Sequence, residues 1–217
     1  MTRVYFVRHA QPEHDWEEDR TRPLTEEGKK DSAIVLEFLK DKKIDAFYCS
    51  PYKRSMDTIA EAADFFTKEI ITDERLRERE KGLDGNNHGM FRKRWDDHNY
   101  HEEGGESIAM VQKRNIEALN EILSDNTDKD IVIGTHGTAL STILNFYDSN
   151  FGCEDFLRII DWMPYIIELD FESSCNELEF ECPSYSFKLI GKQEHCYIEK
   201  EFKGKQRADI KREYSTW

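Results

Sequence analysis

The chain has 217 residues, 38% hydrophobic and 35% charged, with a net charge of −14. That length suits one large α/β domain or two small ones with a real core, and the recurring apolar runs exclude a disordered chain. The acidic balance argues against broad binding to nucleic acid or anionic membranes, so any local cluster of Arg and His stands out as a pocket for an anion.

Val4–Val7 is a short apolar run and predicts a buried strand that breaks into Arg8-His9-Ala10. After a polar loop, Thr25 reads as the N-cap of a helix with acids in its first turn, running to about Lys40. Ile44–Cys49 predicts a second strand. Ser50 then reads as N-cap and Pro51 as first residue of a helix through Arg54, Thr58 and Ala62. Ile70-Ile71 predicts a third strand. Residues 73–105 are charged and irregular, and a lid or cap insertion is expected at about 80–105, with helix around Phe91–Trp95. Ser107–Leu123 predicts a long helix, Asp130–Gly134 a fully buried strand, and Thr138 to about Phe146 another helix. Tyr165–Phe171, Leu178–Glu181 and Tyr185–Ile190 predict further strands, the last two antiparallel, before a charged tail from about residue 194. The alternation of strand and helix, without repeat or linker, predicts a single α/β domain over 1–217: a three-layer α/β/α sandwich around a mixed, mostly parallel sheet.

Five cysteines at 49, 153, 175, 182 and 196 form neither a disulfide framework nor a CxxC zinc motif. No run approaches the ~18 apolar residues a membrane span needs, and the N-terminus opens directly on a strand rather than a signal peptide. The expectation is a reduced, cytoplasmic protein with no nucleic-acid or membrane partner. His88, His98 and His101 lack metal-ligand spacing and read as loop-surface residues, while Phe91, Trp95 and Tyr100 serve either a leaving-group pocket or the core.

Four features fall at strand ends: Arg8-His9, Arg54, Glu78 and His136-Gly137. In an open α/β sheet the carboxyl ends of strands line the ligand crevice, so these residues should converge. Two Arg and two His beside helix N-termini suit a phosphoryl group, whose equatorial oxygens need charge stabilisation. A neutral imidazole attacks phosphorus competently, and a nearby carboxylic acid can protonate the leaving oxygen.

At this point the sequence resembles the histidine phosphatase superfamily, in its phosphoglycerate mutase-like branch. The matching pieces, over roughly residues 3–170, are Val7-Arg8-His9-Ala10, Pro23 to Gly28, Ser50-Pro51-Tyr52-Lys53-Arg54, Arg75-Leu76-Arg77-Glu78, Gly105-Glu106-Ser107 and Thr135-His136-Gly137-Thr138, in the family's order. The resemblance implies that His9 is the nucleophile that becomes phosphohistidine and that Arg8, Arg54 and His136 bind the phosphoryl oxygens. It further implies that the N–H of Gly137 adds a donor, and that Glu78 is the proton donor and later the base for water. Neither metal nor cofactor is implied. Ala10 replaces the family's usual Gly, and a methyl is tolerable there unless φ is positive. Asp15 occupies a substrate-binding position where many members carry Asn. A carboxylate would repel phosphate, so Asp15 is expected to point away, be protonated or serve another role. Past Glu78 the match is approximate, which leaves Glu80 and Asp84 open as the acid.

Three functions compete. The first is a metal-independent phosphomonoester hydrolase working through phosphohistidine on a small-molecule substrate. The second is a phosphoglycerate mutase-type phosphotransferase, which needs extra basic residues such as Arg92, Lys93 and Arg94 in the lid. The third is a non-catalytic phosphate-binding module. The hydrolase reading is favoured, because the segments of a glycolytic mutase are not evident. The substrate is open, and the C-terminal strands and tail are compatible with a homodimer.

Overall fold

Period-two alternation in β1 (Thr2–Arg8) sends Val4 and Phe6 into one apolar cluster and Tyr5 and Val7 into another, so this strand is buried on both faces. The computed structural model of the chain describes residues 1–83, 88–173 and 187–200. After β1 come α1 (Glu26–Asp31), α2 (Ala33–Leu39), β2 (Ala46–Cys49), α3 (Lys53–Phe65) and β3 (Ile70–Thr72). They are followed by α4 (Phe91–Asp96), α5 (Ile108–Asp125), β4 (Asp130–Thr135), α6 (Gly137–Tyr147), α7 (Cys153–Ile159), β5 (Trp162–Ser173) and β6 (Phe187–Glu199).

The sheet order is β3-β2-β4-β1-β5-β6. The first four strands run parallel, β5 runs antiparallel to β1, and β6 pairs antiparallel with β5, so the sheet is mixed as expected. Helix α2 lays Val35 and Leu39, and α3 lays Ile59, Ala62 and Ala63, on one face. On the other face α5 contributes Ile116, Leu119 and Leu123, and α6 contributes Leu140, Ile143 and Leu144. Both faces are covered, which gives the three layers.

Several boundaries differ from the sequence expectation. Thr25 does cap a helix, its hydroxyl accepting the Gly28 N–H at 2.8 Å. The helix does not run unbroken to Lys40, because Ser32 interrupts it. The Ser32 hydroxyl donates to Lys29 O at 2.7 Å, a local bond that competes with the helical ladder. Ser50 is not the cap of α3. Tyr52 takes that position, and helical structure starts at Lys53 rather than Pro51. The Ser50 hydroxyl is instead engaged by His136. At the C-terminal end, the strand expected over Tyr185–Ile190 is described from Phe187 and continues past Ile190 to Glu199. The residues expected to begin a tail at 194 therefore belong to a long edge strand, whose charges suit a solvent-facing sheet margin. Leu178–Glu181 and the chain beyond Lys200 lie outside the described residues, as does Asp84.

Candidate active site

The register of the parallel strands assembles the centre. Arg8 on β1 pairs with Thr135 on β4, so the next residues of each strand, His9 and His136, emerge together at the carboxyl edge. The ladder extends one step, with the His9 N–H donating to Thr135 O at 3.1 Å. On the other side of β4, Cys49 pairs with Gly134 and the Ser50 N–H donates to Gly134 O at 3.0 Å, which brings Ser50 alongside. The His9 and His136 rings meet edge to face with centroids 5.2 Å apart.

The tautomer of His9 follows from its partner. His9 Nδ1 lies 2.7 Å from Ala10 O. A carbonyl only accepts, so Nδ1 carries the proton and Nε2 keeps a lone pair. Ala10 is held in turn by its N–H, which donates to the Thr58 hydroxyl at 2.9 Å. Burial first, and then the positive charges of Arg54 and Arg8, push the His9 imidazolium well below its ordinary range. His136 is lowered likewise by burial, Arg54 and His9. Both imidazoles are therefore neutral at pH 7, and the fixed positive charge comes from the guanidiniums.

Arg8 and Arg54 are both buried. Arg8 Nη1 donates to Ile159 O, at the end of α7, at 2.7 Å. Gly137, the first residue of α6, lies under this guanidinium: a Cβ there would stand 3.2 Å from Arg8 Cζ. Arg54 Nη1 donates to Asp19 O at 2.7 Å and Nη2 to Asp19 Oδ2 at 3.3 Å. Glu78 is half-buried, and its two oxygens accept the N–H of Arg79 at 2.7 Å and of Thr138 at 3.0 Å.

A cleft of about 580 Å³ opens over this group. Arg8, His9, Arg54, Glu78, Gly137 and Asp15 all line it. His136 is fully buried and is not itself part of the lining; it reaches the site through its ring contact with His9. Glu80 is exposed and is not part of the lining, so of the two described acid candidates only Glu78 faces the cleft. Phe91 and Trp95 satisfy both readings given to them, since they line the cleft and also pack on Phe156 in the core. Tyr100 lies under Lys93 instead, with Nζ 3.8 Å from the ring centroid. Of the basic residues in the insertion, Arg92 pairs with Glu154 outside the cleft, whereas Arg94 faces it and is bound to Glu102. Among the described residues no group of three His, Cys, Asp or Glu is placed to hold a metal ion. No described helix is long and apolar enough to cross a membrane. Cys49 is buried, and burial pushes its thiol up to about 12, consistent with inert packing.

Sequence reasoning missed Asp19, Arg22 and Lys81. Asp19 Oδ1 sits 3.0 Å from Arg22 Nη1 and 3.8 Å from Lys81 Nζ, so one carboxylate gathers three cations on the cleft wall. Against the opposing effect of burial, Arg54, Lys81 and Arg22 hold this carboxyl below its ordinary range. The loop carrying Asp19 is pinned by a bridge between Pro12 and Leu24, and no sequence pattern announces that closure. Also missed was the pair formed by Arg79 and Arg94 around the buried Glu102, with Arg79 Nη1 3.2 Å from Oε2 and Arg94 Nε 2.9 Å from Oε1. The alternation of charge in this stretch reads as a solvated cluster until the fold buries it.

A model of the histidine phosphatase superfamily (branch 1) matches residues 4–160 of the chain. Phosphoserine phosphatase 1 of Hydrogenobacter thermophilus is 29% identical over 154 residues, which is 63% of this chain and 71% of that protein. A 2,3-bisphosphoglycerate-dependent phosphoglycerate mutase of Thermoplasma acidophilum is 44% identical over only 55 residues, 25% of this chain and 28% of that one. Among solved structures, a mycobacterial glucosyl-3-phosphoglycerate phosphatase superposes with a TM-score of 0.68 at 17% identity, covering 87% of this chain and 96% of that chain. A phosphoserine phosphatase of Entamoeba histolytica, in complex with 3-phosphoglyceric acid, gives 0.67 at 20% identity, covering 88% and 96%. At these identities the superpositions speak for the fold.

Proposed function

We propose that this chain, which belongs to the histidine phosphatase superfamily (branch 1), hydrolyses a small phosphomonoester through a phosphohistidine on His9. The observation that carries the reading is the His9 ring. Its Nδ1 proton is committed to Ala10 O. The Nε2 lone pair is then free to act as nucleophile, in a pocket where Arg8 and Arg54 supply positive charge.

In the first step Nε2 attacks phosphorus and forms an N–P bond as the ester P–O bond breaks. The leaving oxygen takes a proton from Glu78. Arg8, Arg54 and His136 hold the equatorial oxygens, where charge is spread in the transition state. In the second step Glu78, now a carboxylate, takes a proton from water. The water oxygen bonds to phosphorus, the N–P bond breaks, and inorganic phosphate leaves with His9 restored. Each half runs without a metal. Phosphoserine and glucosyl-3-phosphoglycerate, the substrates of the relatives' names, are small esters with a carboxylate near the phosphate, and they head the list of compounds to assay.

The test is release of phosphate from an aryl phosphate and from these two esters, in excess chelator, with wild type and His9→Ala. Activity that survives the chelator and vanishes in the variant supports the reading. Equal turnover by His9→Ala sinks it, and phosphohistidine that forms but passes only to a second sugar acid replaces hydrolase with mutase.

A further inference from the structure

The pair formed by Ser50 and His136 is not accounted for by the chemistry above. Ser50 follows β2, and its side chain is fully buried, as is that of His136. The Ser50 Oγ has two hydrogen-bond partners. It accepts the Tyr52 N–H at 3.3 Å and lies 2.7 Å from His136 Nε2. A hydroxyl has one proton to give, and a backbone N–H cannot receive it. The proton therefore goes to Nε2, since a buried donor left without an acceptor is costly.

A ring nitrogen that accepts is unprotonated, so the proton of the neutral His136 ring sits on Nδ1. That nitrogen is buried, and among the described residues it has no hydrogen-bond partner. It belongs to a ring in edge-to-face contact with His9. A desolvated, unsatisfied N–H donor on a ring that touches the nucleophile's ring is what a developing oxyanion needs. The opposite tautomer would offer a lone pair there and repel the phosphoryl oxygen.

We propose that Ser50 is a positioning residue that fixes His136 as the Nδ1–H tautomer, so that His136 donates a hydrogen bond to the phosphoryl group held at His9. This rests on the reading that His9 carries the phosphoryl group. It adds that the hydroxyl at Ser50, which touches neither substrate nor nucleophile, sets the polarity of the second histidine.

The experiment is ¹H–¹⁵N NMR of the imidazole nitrogens in the full chain, wild type and Ser50→Ala, together with the affinity of each for vanadate. Expected are a protonated Nδ1 on His136 in the wild type and a shift of the proton toward Nε2 in Ser50→Ala. Vanadate affinity and turnover should both fall, by roughly 10- to 100-fold, less than for loss of a direct oxyanion donor. A wild-type His136 protonated on Nε2, or an unchanged tautomer in the variant, overturns the proposal. The wild-type spectrum decides even if Ser50→Ala fails to fold. Because the tautomer is read without turnover, an Nδ1–H His136 in a protein that hydrolyses nothing would refute the hydrolase reading and leave the Ser50 assignment standing.

Discussion

Glu78 and Thr138 are joined on the cleft wall: Glu78 Oε2 accepts the Thr138 backbone N–H at 3.0 Å, in the first turn of the helix that follows His136. The acid candidate is thus anchored to the element that carries the second histidine, and a second N–H, from Arg79, holds its other oxygen. Each oxygen keeps a further lone pair, the one on which a carboxylic acid would carry the proton it gives up.

Glu78→Gln retains the shape and loses the proton. It should slow hydrolysis of alkyl phosphates by about 100-fold or more, and of aryl phosphates with good leaving groups far less. The slope of log kcat/KM against leaving-group pKa measures this. Glu80→Gln should leave that slope unchanged, and the assignment falls if Glu80→Gln steepens it instead.

Arg54 is the buried cation held by Asp19 at both Nη atoms. Arg54→Ala should lose about 2–4 kcal/mol of transition-state stabilisation, seen as a large fall in kcat/KM. Arg54→Lys should recover little, since an ammonium cannot reproduce the fork that holds Asp19 and would have to hold a phosphoryl group at the same time. Recovery near wild type in Arg54→Lys would show that point charge alone suffices.

Protonation of the two histidines opposes folding. Their native imidazoles are held well below the ordinary value of 6.5, so below pH 6.5 the unfolded chain binds protons that the native protein does not. Stability is then full above about pH 6.5 and falls as pH drops, with a limiting slope of about 1.4 kcal/mol per pH unit per histidine. Urea titrations of wild type and His136→Gln between pH 5 and 8 should give a shallower acid limb in the variant. Parallel curves would contradict the assignment.

The Glu102 carboxylate sits buried between Arg79 and Arg94. Glu102→Ala leaves two guanidiniums without it, and should destabilise by about 3–5 kcal/mol. Differential scanning calorimetry gives the shift. A change within the error of the measurement would mean that water reaches the cluster.

The strand-end rule predicts that Arg8, His9, Arg54, Glu78 and His136-Gly137 converge; all but His136 line one cleft, because the strands that precede them are short runs with clear ends. Ser50 was misread for a physical reason. Ser-Pro before a helix has the local signature of a cap, and nothing local reveals that His136, distant in sequence, claims the hydroxyl. Ser32 hides in the same way, since its bond to Lys29 O competes with an otherwise good helical pattern. Asp19 was invisible because its partners Arg22, Arg54 and Lys81 come from separate segments, and loop closure carries no period to read. The length of β6 was underestimated because an edge strand tolerates the charges that elsewhere mark a tail.

Gly82 and Gly105 touch back to back. A Cβ on Gly82, whose φ is +68°, would stand 2.6 Å from Gly105 N, and one on Gly105 would stand 2.9 Å from Lys81 O. The Leu83 N–H donates to Glu103 O and the Glu106 N–H to Glu80 O on either side of this crossing. The chain therefore departs from the scaffold and rejoins it at nearly one point, through a neck too narrow for any side chain. Such a neck makes the intervening stretch a side excursion whose two ends are clamped by backbone contact alone. Its described interior is tied down separately, by Trp95 in the core and by Glu102 reaching back to Arg79. Side chains thus anchor the middle of the excursion, and the absence of side chains anchors its ends.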